Sequence, residues 1–293
     1  MRKTFQDYQF SRVLDYALAF IMPVLAVVAA LALGAIMLWL LDVDPREAYE
    51  NLYNGAVGVS RGSPVLNIDS RSETFVKAIP LLFVGIGICI AFRAGVINVG
   101  GEGQMIAGAV VGTAVALEME SIPGIFTWVP WDDFPRLASI TVVMFSAFVG
   151  GAVWGSIAGV LKAYFNVNEI LSTIMLNQIA FQVMFYLLKG DLQDPRQQSR
   201  AGGIAKTVKV PEHTRLPRLT WFTDVNIRLH AGLLVAIALA VLVYVLLWRT
   251  TYGYRIRAVG KNPRAARYAG INVRRQVVYA MVWSGGFAGL AGI

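Results

Sequence analysis

Long apolar runs alternate with short polar breaks along this chain. Residues 17–41 form an apolar stretch of 25 residues, and a helix needs about 20 to cross a bilayer. Further apolar stretches cover 78–92, 105–117, 137–161, 170–188, 231–248 and 276–293. The pattern predicts an all-α, polytopic helical membrane protein of about seven spans. The first run is longer than the apolar core of a signal peptide and continues past Ala30-Leu31-Ala32. It reads as a retained span with the N-terminus in the cytosol. The last run stops at Ala-Gly-Leu-Ala-Gly-Ile, still apolar, and further spans are expected beyond it.

The polar breaks differ in kind. Asp44 and Glu47 have capping-box spacing and predict a short surface helix after 44, with Tyr49, Leu52 and Tyr53 towards the headgroups. A plain solvated loop is the other reading there. Residues 118–136 hold Trp128, Trp131, Asp132 and Asp133 and suit an outer interfacial loop. Residues 189–228 carry Lys or Arg at eight positions. That charge favours the inside, but the parity of the flanking spans puts the segment outside, where long segments obey the charge rule less strictly. Glycines recur four apart at Gly108 and Gly112, at Gly151, Gly155 and Gly159, and at Gly285 and Gly289. In lipid such stripes let backbones approach, so they predict packing faces.

The pattern breaks at 93–104. Asn98, Gly100, Gly101, Glu102, Gly103 and Gln104 interrupt the apolar runs, and three glycines in four residues hold a regular helix poorly. Irregular backbone at membrane depth needs protein or a water-filled cavity around it, and an ionisable residue at that depth marks a pathway. Two readings stand: a broken segment lining a transport path, or a tight cytosolic turn with Glu102 in water. Asn177 and Gln178 lie well inside the run at 170–188 and suit an interhelical bond or a path. Asn168 suits a helix N-cap.

Residues 249–275 carry Arg249, Arg255, Arg257, Lys261, Arg264, Arg267, Arg274 and Arg275 and no carboxylate. Inside this loop a short helix is predicted over 263–269. Asn262 is a good N-cap, Pro263 fits the first helical position, and Gly270 fits the left-handed site just past the end. Ala265, Ala266 and Ala269 give it a small face, and Arg264 and Arg267 share another. A rigid cationic helix between two spans looks like a docking peg. A basic loop obeying the positive-inside rule is the simpler reading.

Composition narrows the classes. With 56% hydrophobic and 15% charged residues, a soluble domain is excluded. The net charge of +8 gathers at span ends, with no basic stripe interleaved with aromatics, so nucleic acid is not the partner. Cys89 is the single cysteine, and His213 and His230 are far apart, so no metal site is expected. Catalytic spacings are missing as well. Between Gly253 and Gly260 stand six residues where a phosphate loop needs four, and Asn262 takes the place of its Ser or Thr. The chain is expected to bind no cofactor and no ATP.

Three stretches carry a family resemblance. Gly253–Ile271, Gly-Tyr-Arg-Ile-Arg-Ala-Val-Gly-Lys-Asn-Pro-Arg-Ala-Ala-Arg-Tyr-Ala-Gly-Ile, resembles the coupling loop of bacterial ATP-binding-cassette (ABC) importer permeases of the ribose and branched-chain amino acid type. Ala91–Gln104 is similar to the glycine-rich segment of that family's simple-sugar and nucleoside branch, and Asn168–Asn177 matches the same branch. The resemblance implies one transmembrane permease domain over 1–293, short of its C-terminal spans, in the bacterial inner membrane. It implies a second permease subunit, identical or different, an ATPase that binds the ATP, and an outside binding protein that delivers a sugar or nucleoside. It places ATPase coupling on Arg257, Gly260, Asn262, Pro263, Arg264, Ala265, Ala266, Arg267 and Gly270. The pathway candidates are Asn98, Gly100, Gly101, Glu102, Gln104 and Asn177. The rival class is an ion-coupled transporter or channel without an ATPase, whose intramembrane carboxylates would be Glu102 and Glu169.

Overall fold

The computed structural model describes residues 5–57, 68–121, 135–190, 192–194, 206–219 and 229–293. Nearly all of them are helical: α1 (Phe5–Leu40), α2 (Pro45–Val57), α3 (Ile68–Arg93), α4 (Gly101–Ser121), α5 (Arg136–Phe165), α6 (Glu169–Lys189), α7 (Gly232–Arg249), α8 (Thr251–Lys261), α9 (Pro263–Tyr268) and α10 (Val273–Leu290). Each of the seven apolar stretches lies on one of these helices. Ile21–Leu40, Ser72–Arg93, Arg136–Phe165, Glu169–Lys189 and Gly232–Arg249 are long and apolar enough to cross a membrane, and Gly101–Leu117 is a shorter apolar helix. The protein is a polytopic helical membrane protein. The interfacial residues Trp128, Trp131, Asp132 and Asp133, and most of 189–228, lie outside the described residues.

Two compact units emerge, Met1–Arg71 and Ser72–Ile293. In the first, α2 starts as its sequence requires: the Asp44 carboxylate accepts from the Arg46 amide at 2.9 Å. Tyr49 does not turn to the headgroups. Its hydroxyl donates to the Leu31 carbonyl of α1 at 2.7 Å, while Leu52 and Tyr53 are exposed.

In the second unit, α5 and α6 are joined by a tight turn. Asn166 takes the left-handed conformation (φ 54°) that ends α5, which an asparagine tolerates better than most residues. Asn168 then caps α6, its side chain accepting from the Ile170 amide at 2.9 Å and the Leu171 amide at 3.4 Å. Lys162 and Glu169 close the turn with an ion pair at 2.8 Å.

The glycine stripes are packing faces. Gly285 of α10 lies against the Gly151 carbonyl and the Gly155 α-carbon of α5; Gly289 meets Ala147 and Gly151. Gly108 of α4 meets Gly289 from the other side. A β-carbon at any of these positions would fall on neighbouring backbone. The helices sit at that distance because lipid offers no hydrophobic driving force and close van der Waals contact must hold them.

Candidate functional site

The basic segment folds as two helices rather than a loop around one. α8 was not legible as a helix. Thr250 caps it, accepting from the Gly253 amide at 3.1 Å, and Gly253, Ile256 and Val259 point inward at a spacing of three. Ile256 and Val259 enter the main core with Ile90, Ala91, Ala94 and Val96. α9 follows as read. The Asn262 side chain accepts from the Arg264 and Ala265 amides at 3.0 and 3.1 Å, Pro263 is in the first turn, and Gly270 has φ +77°. The helix ends at Tyr268, with Ala269 as its C-cap.

One predicted feature of the peg is corrected. Ala266, grouped from sequence with the small docking face, turns into its own chain at 4% exposure. It shares the core with Val259 and Met281. The outward face is Arg264, Ala265, Arg267 and Tyr268. Tyr268 is 94% exposed, so no contact among the described residues explains it. Sequence reading passed over it; an aromatic ending a two-turn cationic helix was the available signal.

Several helix ends gather here. The Arg257 guanidinium lies 4.3 Å from the centre of the Trp248 ring, and that of Arg93 lies 5.3 Å from it, both within cation–π range. Arg274 sits 5.6 Å over Tyr164. Trp283 of α10 donates its indole N–H to the Tyr252 hydroxyl of α8 at 3.2 Å. Burial pushes the Tyr252 phenol up, and the Trp283 bond acts against that. At the tightest point Gly260 rests on the Arg93 carbonyl, and a β-carbon on Gly95 (φ +76°) would come within 3.1 Å of the Gly260 α-carbon.

From Gly95 the chain climbs into the bundle in an extended form. Ala94, Val96, Asn98 and Gly100 are buried, whereas Gly95, Ile97 and Val99 are exposed, the period of an extended strand. The break is therefore 94–100, and Gly101, Glu102, Gly103 and Gln104 belong to the first turn of α4. Glycine costs little there, because first-turn amides have no intrahelical partner to lose. The close approach of α6 also requires it: a β-carbon on Gly103 would lie 2.8 Å from the Asn177 side-chain oxygen.

Asn98 is the centre of a buried polar knot. Its Nδ2 donates to Gln104 Oε1 at 2.9 Å and to Ser284 Oγ at 2.8 Å. Its Oδ1 accepts from the Gly100 amide at 2.9 Å and from Gln104 Nε2 at 3.1 Å. Asn177 joins from α6, accepting from the Gly103 amide at 2.9 Å and donating to the Val99 carbonyl at 3.2 Å. Ser284, which gave no sequence signal, stands eleven residues into α10, about 16 Å at 1.5 Å per residue. The knot thus lies deep in the bundle, not at its end. Asn98, Gln104 and Asn177 are brought together with their polar groups directed at the chain itself. Glu102 is exposed, and the two pathway glycines, Gly100 and Gly101, are buried.

Residues 70–293 match the family described as the permease component of the branched-chain amino acid transport system. The guanosine ABC transporter permease NupP of Bacillus subtilis is 32% identical over 272 residues, covering 93% of this chain and 70% of that protein. The glucose ABC transporter permease TsgB13 of Haloferax volcanii is 33% identical over 286 residues, covering 94% and 67%. The nucleoside ABC transporter permease NupB of Lactococcus lactis is 32% identical over 273 residues, covering 93% and 69%. No solved structure matches the chain significantly. Since one family model spans the whole second unit, and these relatives align with nine-tenths of the chain, it belongs to the branched-chain amino acid transport permease family, the membrane components of ABC transporters.

Proposed function

We propose that this chain is the permease subunit of an ABC importer that moves a nucleoside or simple sugar inward. A second permease subunit forms the path with it, an outside binding protein delivers the solute, and an ATPase docks on α8 and α9. ATP is bound and hydrolysed on the ATPase, and this chain holds no cofactor. The membrane is the bacterial inner membrane, with the N-terminus and the basic segment in the cytosol. The nucleoside and sugar relatives support the solute class.

The observation that carries the reading is the construction of the peg. α9 is capped at both ends and presents Arg264, Ala265, Arg267 and Tyr268 outward. A topology signal needs charge alone and would require neither caps nor a packed underside. The peg rests on α8, α8 rests on the Arg93–Gly95 backbone, and the next residues rise to the Asn98 knot. A push on the peg therefore meets packed backbone all the way to Glu102 and Asn177. Asn98, Gly100, Gly101, Gln104 and Asn177 form the frame of the path wall in this reading, and Glu102 faces the path. Glu169, the other intramembrane candidate for ion coupling, is paired with Lys162 at the α5–α6 turn, which disfavours the ion-driven alternative.

The test is co-purification with an ABC ATPase co-expressed with this chain, together with solute-stimulated ATP hydrolysis. Ala265→Trp, and Arg264→Ala with Arg267→Ala, should leave an inserted permease that no longer retains the ATPase. Rim charges guide encounter, and a bulky residue on the docking face blocks it. Full retention in both variants would overturn the docking role.

A further inference from the structure

α6 presents a polar stripe at membrane depth that no other described residue uses. Asn177 points inward to the knot, but Gln178 is exposed, and so are Gln182 and Tyr186. These three residues are four apart and therefore share one helix face. α6 is a membrane span of 21 residues. Gln178 and Gln182 stand about 14 and 20 Å along its roughly 30 Å length. Neither glutamine has a hydrogen-bond partner among the described residues. The exposed hydroxyl residues of α5 behave differently: Thr141 and Ser156 bond to their own helix carbonyls at 2.8 and 2.6 Å, as suits side chains facing lipid. A glutamine amide has two donors and two acceptor sites, and two of them facing hydrocarbon would be strongly disfavoured.

We infer that Gln178, Gln182 and Tyr186 line the solute path and contact the solute, an inference that rests on the permease reading above. Glu102 decides between a wet path and a dry interface with the second permease. The Gly103–Asn177 bond joins α4 to α6, and Glu102 and Gln178 are the immediate sequence neighbours of that pair, one on each helix, both exposed. A dry interface at that level would strand the carboxylate, whereas a water-filled path keeps it solvated. The stripe also has a chemical character. Two neutral amides, one turn apart, offer paired donors and acceptors without charge. Tyr186 is 77% exposed and adds a flat aromatic face one turn further on. This set fits an uncharged solute with a hydrogen-bonding edge on a planar ring, which is the chemistry of a nucleoside base.

The experiment is cysteine accessibility in membranes containing the full transporter, with Cys89→Ser as background because Cys89 is exposed. Gln178→Cys and Gln182→Cys should react with a membrane-impermeant thiol reagent, and Phe145→Cys, an exposed apolar position on α5, should not. Guanosine should slow both reactions at least threefold and glucose should not. In uptake, Gln178→Leu with Gln182→Leu should raise the guanosine KM about tenfold while the ATPase still co-purifies. Gln178→Asn should recover part of the loss, which a merely structural role would not show. Unreactive cysteines overturn the path assignment, and a disulfide between two Gln182→Cys chains identifies the stripe as interhelical bonding instead. Reactive cysteines that glucose, but not guanosine, protects overturn the base assignment. Loss of the ATPase from the unmodified complex would strike the permease reading and leave the labelling result to stand by itself.

Discussion

Replacing Gly260 by alanine is the sharpest perturbation of the route from peg to path. A β-carbon there would land on the Arg93 carbonyl oxygen and lie 2.9 Å from the carbonyl carbons of Arg93 and Ala94. Gly95 faces it with only a little more room, its own added β-carbon reaching 3.1 Å from the Gly260 α-carbon. Carbon atoms rest at about 3.5 Å, and the Arg93 oxygen is closer still, so the Arg93–Ala94 backbone must retreat by roughly 1 Å. Two energies compete. Alanine favours the α8 helix by about 1 kcal/mol, and overpacking costs about 1–3 kcal/mol. The net destabilisation is about 0–2 kcal/mol, small against the stability of a domain. Gly260→Ala should therefore insert, fold and retain the ATPase, yet lose most of its solute-stimulated ATP hydrolysis and uptake. Gly85→Ala is the matched control, since nothing lies within 4 Å of its added carbon. Reconstituted complexes would be compared for basal hydrolysis, stimulated hydrolysis and uptake. Equal uptake by the two variants would refute the idea that this backbone contact transmits movement.

Three further outcomes follow from the same geometry. Asn98→Leu strands the Gln104 and Ser284 groups and the Gly100 amide, at about 1–3 kcal/mol for each buried group left unpaired, and should lower the melting temperature in detergent while abolishing uptake. Asn262→Ala removes the α9 cap and should cost about 1 kcal/mol locally, read as faster amide exchange over 263–268 with insertion unchanged. Ala266→Trp should fail in folding rather than in docking, because its methyl is already buried in the chain's own core; an inserted, monodisperse protein that merely loses the ATPase would contradict this placement.

Local signals were legible in the sequence and orientations were not. The Asn262-Pro263 start and Gly270 stop of α9 are written in consecutive residues, because capping is a matter of nearest neighbours. Asn168 and Asp44 belong to the same class. The break before α4 was visible too, although its end was misplaced: Gly101 and Gly103 interrupt a pattern but sit comfortably in a first turn, where Gly103 admits α6 and Gly101 leaves room for Val84 of α3. α8 escaped because its four basic residues, Arg255, Arg257, Lys261 and the flanking Arg249, hide three inward positions in a polar stretch. Asn177 and Gln178 show the deeper limit. The two amides are adjacent, and only the packing of α6 on α4 and α5 decides that one is buried and the other exposed. Ser284 is one hydroxyl in an apolar helix and became informative only with Asn98 beside it.

The knot has a consequence for how the transporter fails and recovers. Asn98 donates both of its amide hydrogens and fills both acceptor sites, through four bonds of 2.8–3.1 Å. A hydrogen bond is lost near 3.5 Å; the Gly100 amide moves with the segment, so a displacement of about 0.4–0.7 Å breaks the three bonds to Gln104 and Ser284. The 94–100 segment is thus a latch with a threshold instead of a spring. Thermal jostling below that threshold leaves it seated, which under the proposed function would suppress idle leakage of the path between strokes. A stroke above it releases the bonds to Gln104 and Ser284, and the same two residues define a single position into which the segment can reseat.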